Sequence, residues 1–141
     1  MRRLKFARRG QAVVEFALVL PLVLILVIGV FEFARAWNIQ QVLTDAAREG
    51  ARVAVVGSGA GESAGVISAK VQTAIGNALS VAAIDPADAN VALTGIGGGR
   101  GNAATVQIQL PYRFSFLGPL MGWTIGKSSL TLRTSITMRN E

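Results

Sequence analysis

The chain of 141 residues contains no cysteine and no histidine. Without cysteine the fold has no disulfide bonds, so its apolar core must suffice. The two absences also exclude cysteine nucleophiles, histidine bases and the usual zinc ligands. No serine lies in a recognisable nucleophile motif, and no histidine is there to activate one. The composition therefore predicts a protein that is not an enzyme and that uses no cofactor.

Charge is absent from a long internal stretch. Residues 16–31 have the sequence FALVLPLVLILVIGVF, and thirteen of these sixteen are Leu, Ile, Val or Phe. Their summed insertion free energy, about 4–8 kcal/mol, exceeds the roughly 2.5–3.5 kcal/mol cost of one carboxylate at mid-bilayer. Starting at Ala12 gives twenty residues, about 30 Å of helix, which matches the hydrocarbon core of a bilayer. The sequence therefore predicts a transmembrane helix over about residues 12–31.

Basic residues are concentrated before this segment. Five of the fourteen lie in residues 1–10, namely Arg2, Arg3, Lys5, Arg8 and Arg9. The positive-inside rule predicts that this basic leader stays in the cytoplasm and that the C-terminal part is exported. Without residues 1–10 nine basic residues remain against eight acidic ones, and no basic stripe is interleaved with aromatic residues. The high isoelectric point therefore does not indicate a nucleic-acid partner.

The helical pattern continues beyond the apolar segment. Strong helix formers and one apolar face predict a single long helix through residues 11–56, half of which projects beyond the membrane. Residues 57–141 then form a small exported module on this stalk. Apolar residues at helical spacing predict its second helix over Glu62–Leu79. The fold class predicted from these patterns is α+β, pilin-like, with the long N-terminal helix continuing into the module.

The rest of the module has the alternation of a short antiparallel sheet. It predicts a short strand near residues 91–93, a clear strand over 106–114 and a last strand over about 129–138. Residues 115–126, rich in glycine, are predicted to form a loop. Pro111 has no N–H to donate to a ladder, so its strand is either an edge strand or has an exposed side there.

Glu15 is the carboxylate at the start of the apolar segment, and two interpretations are open. In one it is an interfacial carboxylate, tolerated by the partial positive charge of a nearby helix N-terminus. In the other, cleavage after Gly10 exposes a new amine on Gln11, four residues before Glu15 and on the same helix face. The amine and the carboxylate then stabilise each other, within one chain or between neighbours.

Two further patterns each have a structural and a functional interpretation. Ala46, Gly50 and Ala54 recur every four residues, a spacing that lets helix backbones approach closely. The same face also suits packing on the protein's own sheet. Asp85 and Asp88 flank a proline, which suits a turn and its cap better than a calcium site.

The N-terminal third carries motifs that resemble a known family. They are Gly10 followed by four residues and then Glu15-Phe16, the Leu20-Pro21-Leu22 turn, the Glu32-Phe33 pair and the run Ala46-Ala47-Arg48-Glu49-Gly50-Ala51-Arg52. Over residues 8–56 the chain resembles the TadE-like family, pseudopilins of the tight-adherence (Tad, Flp-type) pilus apparatus. The module after residue 56 is consistent with that family but carries few motifs.

The resemblance implies a site, partners and a location. The prepilin peptidase, a membrane aspartic protease, is expected to cut between Gly10 and Gln11, with Glu15 and Phe16 serving recognition and assembly. The implied partners are other pilin or pseudopilin subunits, Tad apparatus membrane proteins and the lipid bilayer. The implied location is the bacterial cytoplasmic (inner) membrane, as a single-pass protein or incorporated into a pilus. The implied role is pilus biogenesis, secretion and surface adherence.

Two other functions are open on the sequence. One is an uncleaved, membrane-anchored adaptor whose exported module binds a partner. The other is a soluble module released after Ala36, in a small-x-small site formed with Ala34. The residue at the mature N-terminus distinguishes these two hypotheses from the pseudopilin. It is Gln11 for the pseudopilin, Met1 for the adaptor and Trp37 for the released module.

Overall fold

A long helix dominates the molecule. A computed structural model of the chain describes residues 3–99, 101–126 and 128–139. Helix α1 spans Arg3–Gly59 and contains Pro21, so it starts earlier than the predicted residue 11 and ends three residues later than predicted. It ends in a glycine-rich turn in which Gly61 has φ +73°, a conformation that glycine adopts without a steric penalty.

Helix α2 spans Ala64–Val81, two residues later at each end than the sequence pattern predicts. It runs antiparallel to α1. Ile67 lies against Gly57, whereas Ile75, two turns further along α2, lies against Gly50, two turns back along α1. The buried residues of α2 are Ile67, Val71, Ile75 and Leu79, whose spacing of four residues keeps them on one face.

Three antiparallel strands form the sheet. They are β1 (Asn90–Thr94), β2 (Ala103–Arg113) and β3 (Ser129–Arg139), in the spatial order β1-β2-β3. The register places Val106 opposite Leu93 and Ile136, so the apolar alternation of all three strands falls on one face. That face packs on the helices, as expected for an antiparallel sheet with one covered side. The α+β class and the long N-terminal helix are therefore confirmed.

Pro111 lies in the central strand, not in an edge strand. The pairing of β1 with β2 ends at Asn90 opposite Gln109, whereas β3 continues to Ser129 opposite Arg113. Pro111 is therefore beyond the reach of β1, and the second alternative drawn from the sequence, an exposed side, is correct.

The predicted loop over residues 115–126 contains a helix, α3 (Leu117–Ile125). The loop was predicted because Gly118, Pro119 and Gly122 are poor helix formers. That prediction was wrong. Pro119 falls in the first turn, where the missing N–H has no intrahelical partner in any case. Gly126 ends the helix in the left-handed conformation at φ 67°, as is common at helix C-termini.

The sheet lies alongside the C-terminal half of α1, from Glu32 to Ser58. At one end the Gly97 N–H, in the β1–β2 loop, donates to Ser58 Oγ at 3.0 Å. At the other end the residues that follow β2 contact Glu32. The eleven residues of β2 cover about 36 Å and α1 covers about 39 Å between Glu32 and Ser58. The part of α1 beyond the apolar segment is thus a core element of the module.

Candidate functional site

The predicted processing and assembly residues lie on the N-terminal part of α1. Gly10, Gln11, Glu15 and Phe16 are all exposed. A Cβ at Gly10 would have nothing within 4 Å. The Gln11 side-chain amide donates to Glu15 Oε1 at 3.0 Å, so these two side chains share one face of the helix.

In the full-length chain Glu15 is too far from the N-terminus of α1 to be stabilised by the partial positive charge there. Helix α1 begins at Arg3, about 18 Å before Glu15 at 1.5 Å per residue. The partial positive charge of a helix N-terminus acts only within the first turn. The interpretation in which the helix terminus tolerates Glu15 is therefore wrong for the uncleaved chain. It applies only to a helix that starts at Gln11.

The stripe of small residues lies inside the chain's own core. Ala46 and Ala54 are buried, and a Cβ at Gly50 would lie 2.9 Å from Ile75 Cδ1 and 3.3 Å from Val71 Cγ1. The close approach of helix backbones predicted from the spacing is therefore made by α1 and α2 of the same chain. For Gly50 the partner is α2 rather than the sheet.

Glu32, at the far end of the apolar segment, is only 4% exposed. The Ser115 N–H donates to both carboxylate oxygens at 3.1 Å, and the Phe116 N–H donates to Oε1 at 3.1 Å. These two amides come just before α3, and the N-cap residue Phe116 makes no side-chain capping hydrogen bond of its own. The carboxylate of Glu32 thus serves as the acceptor at the N-terminus of α3, where a negative charge is favourable.

Two neighbours complete this junction. Arg35, one turn after Glu32, donates from Nη1 to Ser115 Oγ at 3.2 Å. Beside them is an open cleft of about 260 Å³, lined by Ile28, Phe31, Glu32, Arg35 and Phe116. In the sequence Glu32 is the first charge after the apolar run and part of the Glu32-Phe33 pair, but neither signal predicts its contact with the start of α3.

Tyr112 lies near this junction on β2. Its hydroxyl is buried, and none of the described residues forms a hydrogen bond with it. Burial raises the pKa of Tyr112, the negative charge of Glu32 raises it further, and the positive charge of Arg35 partly opposes both. The raised pKa therefore extends the neutral form of the phenol further into the alkaline range.

The acidic residues considered for calcium have a structural role. Asp85 Oδ1 accepts the Ala87 N–H at 2.9 Å and caps the 3₁₀ turn Pro86–Asp88 that precedes β1. Among the described parts of the chain, no group of three or more His, Cys, Asp or Glu residues could hold a metal ion.

The geometry defines a class of protein. Within the described residues α1 is long and apolar enough to cross a membrane, and its most apolar stretch is entirely unburied. A small α+β module is built on the C-terminal half of the same helix. This is the architecture of a module with a candidate N-terminal membrane anchor.

Comparison with known proteins identifies the N-terminal region. Residues 10–52 match the family model of TadE-like proteins, which confirms the resemblance seen in the sequence. The matched region contains Gly10, Glu15 and Glu32 and ends before α2. Neither a curated protein nor a solved structure matches the chain. A TadE-like domain indicates a protein associated with the Tad pilus system.

Proposed function

We propose that this chain is a pseudopilin or minor pilin of a Tad-type apparatus and has no enzymatic activity. It is inserted by residues 12–31 with its N-terminus in the cytoplasm, and it supports pilus biogenesis, secretion and surface adherence. The observation that carries the proposal is the exposed stretch of α1 from Gly10 to Phe16. The matched family region begins at Gly10, and Gln11 and Glu15 already share a helix face.

Cleavage between Gly10 and Gln11 by the prepilin peptidase changes the electrostatics of Glu15. The helix then begins at Gln11, so Glu15 lies about one turn from a new helix N-terminus and from a new α-amine. Both the new helix N-terminus and the new α-amine place positive charge near the Glu15 carboxylate. In the full-length chain Glu15 has the Gln11 amide as a neutral donor. Processing therefore converts a solitary charge into a paired one, which suits passage from the membrane into an assembly with other pilin subunits.

The test is made in cells that contain the apparatus. We expect the mature mass to lack residues 1–10 and Gly10→Val to block this processing. Because a Cβ at Gly10 meets nothing, the variant leaves insertion and folding intact. Glu15→Ala is expected to be inserted normally but to lose co-purification with other pilus components and to weaken surface adherence.

Normal maturation of Gly10→Val would contradict the leader. Wild-type assembly and adherence of Glu15→Ala would reduce Glu15 to an interfacial carboxylate. Gln11→Ala is the matched control, because it removes the side-chain contact with Glu15 but leaves the new amine in place.

The uncleaved adaptor is the second candidate, and one observation favours it. The small-residue stripe of α1 is covered by α2, so outside the membrane this face is not available to a neighbouring helix. A mature N-terminus at Met1, with assembly unaffected by Glu15→Ala, would support the adaptor.

A further inference from the structure

One end of the module carries an apolar segment without charged side chains, next to the exposed Arg113 at the end of β2. Residues 114–126, which include α3, contain no charged side chain. Phe116 is 72% exposed and Trp123 is 85% exposed. Leu130, opposite Tyr112 at the same end of the sheet, is 50% exposed. We call Phe116, Trp123 and Leu130 the apolar end of the module.

The apolar end adjoins the candidate membrane anchor. Leu117 Cδ1, in α3, lies 4.0 Å from the position of a Cβ at Gly29. Gly29 is inside the apolar segment 12–31, about 3 Å of helix rise before its end. Glu32, one turn further on, holds the Ser115 and Phe116 amides. The start of α3 is thus fixed at the depth where the apolar segment ends.

The side chains of α1 at this level have the composition of a membrane interface. Phe31, Phe33 and Trp37 are exposed on α1, and the rings of Phe33 and Trp37 are stacked with centroids 6.3 Å apart. Aromatic residues gather at the interface because their rings suit the headgroup level. Surface-bound helices bury apolar side chains about 5–10 Å into the headgroup and acyl boundary, a depth within reach of the exposed side chains around α3.

We infer that the apolar end is a second membrane contact, seated in the outer leaflet of the bilayer that α1 crosses. The occupant is lipid rather than protein, because the apolar end is continuous with the lipid-facing surface of α1. The inference rests on the membrane insertion put forward as part of the proposed function. The second contact fixes the rotation of the whole chain about the axis of α1 relative to the bilayer, since one helix alone leaves that rotation free.

The test uses the two tryptophans of the chain. Trp37→Phe leaves Trp123 as the sole tryptophan in the full-length chain, which is reconstituted in phosphatidylcholine vesicles at high lipid excess. We expect the Trp123 emission to lie at shorter wavelength than that of an indole in water. Acyl chains brominated near the headgroup are expected to quench most of that emission, whereas acrylamide in the water quenches little.

The matched control moves the tryptophan to the far end of the module. The triple variant Trp37→Phe, Trp123→Phe and Val56→Trp places an exposed indole about 38 Å of helix rise beyond Phe31. Its emission should be that of an indole in water, with strong quenching by acrylamide and none by brominated lipid.

Insertion is measured separately, by resistance of the chain to alkaline carbonate extraction. An extraction-resistant chain whose Trp123 behaves like the Val56→Trp control would overturn the second contact and leave the anchor standing. If protection of Trp123 from acrylamide grows with the protein-to-lipid ratio, the apolar end contacts another copy of the chain. That result would also overturn the membrane contact. Release of the chain by carbonate would contradict the anchor itself.

Discussion

Two glutamates mark the ends of the apolar segment, and their surroundings are opposite. Glu15 is exposed and accepts one side-chain amide, so its neighbours do not fix its position strongly. Glu32 is buried and accepts three hydrogen bonds from two backbone amides. Burial of a carboxylate is tolerated only with such partners. Glu32 is therefore a structural carboxylate, whereas Glu15 is available to a partner outside the chain.

Replacing Glu32 tests this assignment at the residue scale. Glu32→Ala leaves the Ser115 and Phe116 amides without their acceptor, and we expect the free energy of unfolding to fall by about 1–3 kcal/mol. Glu32→Gln retains one acceptor oxygen and should lose less. Unfolding of the module in detergent micelles measures the change, and hydrogen exchange at the two amides locates it.

Asp45→Ala is the control for Glu32, because it removes an exposed carboxylate of the same helix. Asp45 pairs with Arg48 at 3.4 Å on the surface, where an ion pair contributes little. Equal loss in Glu32→Ala and Asp45→Ala would contradict a specific role for Glu32.

Tyr112 gives a prediction with a defined pH dependence. Its pKa is raised in the folded chain, whereas the unfolded chain releases this proton near pH 10. The contribution of Tyr112 to the free energy of unfolding is therefore fully present below about pH 10 and is lost as the pH rises through the folded pKa. Tyr112 is the single tyrosine of the chain, so tyrosinate absorbance follows it directly.

Tyr112→Phe should remove this loss at alkaline pH. Since the buried hydroxyl has no partner among the described residues, the variant should be at least as stable at neutral pH. A tyrosine that titrates at its ordinary pKa, or a Phe variant much less stable than wild type at neutral pH, would contradict the buried environment.

At the scale of elements, the contact of α1 with α2 depends on the absence of a side chain. In Gly50→Leu the new side chain meets Ile75 and Val71 within 3.3 Å of its Cβ, and such overpacking costs roughly 1–3 kcal/mol. Gly65→Leu is the matched control in α2, because a Cβ there meets nothing within 4 Å. We expect thermal unfolding at a lower temperature for Gly50→Leu only.

A different experimental result would show that the small-residue stripe packs between chains rather than within one chain. If Gly50→Leu kept its stability but lost co-purification with other pilus components, the stripe would lie between chains. The structure predicts loss of stability first, with assembly affected only as a consequence.

The elements that sequence patterns predicted are those whose stabilising contacts repeat locally. The four-residue spacing of Ile67, Val71 and Ile75 and the alternation through β2 indicate a buried face on their own. Helix α3 has no such signal. Its N-terminal acceptor is Glu32, separated from Ser115 by 83 positions in sequence, and its packing partner is Gly29 on another element. A one-dimensional pattern does not contain contacts of this kind.

The same distinction holds for the candidate site. The shared face of Gln11 and Glu15 follows from a spacing of four residues, which is a local property of any helix. The burial of Glu32 and Tyr112 depends on where β2 ends along α1. That position is set by the hairpin contact at Ser58 and by the length of β2, neither of which is visible from residue 32.

At the scale of the whole molecule, the charge asymmetry predicts the topology. Because the chain contains no cysteine, a single cysteine gives an unambiguous label. Val81→Cys is at a position 91% exposed at the end of α2. In spheroplasts a membrane-impermeant maleimide should label it fully, since the positive-inside rule places the module outside the cytoplasm.

Ala7→Cys, in cells without prepilin peptidase activity, is the control for the opposite side. It should react only after the membrane is permeabilised. Labelling of Ala7→Cys but not of Val81→Cys in intact spheroplasts would reverse the orientation.

The unbroken course of α1 has a mechanical consequence. One helix carries the apolar segment and the core of the module, with no hinge between them to absorb motion. Pro21 removes one backbone hydrogen bond inside the apolar segment, so bending compliance lies within that segment rather than at the junction. A force that pulls the part of α1 after Pro21 along its axis therefore moves the module by the same distance, and a torque on that part turns the sheet through the same angle.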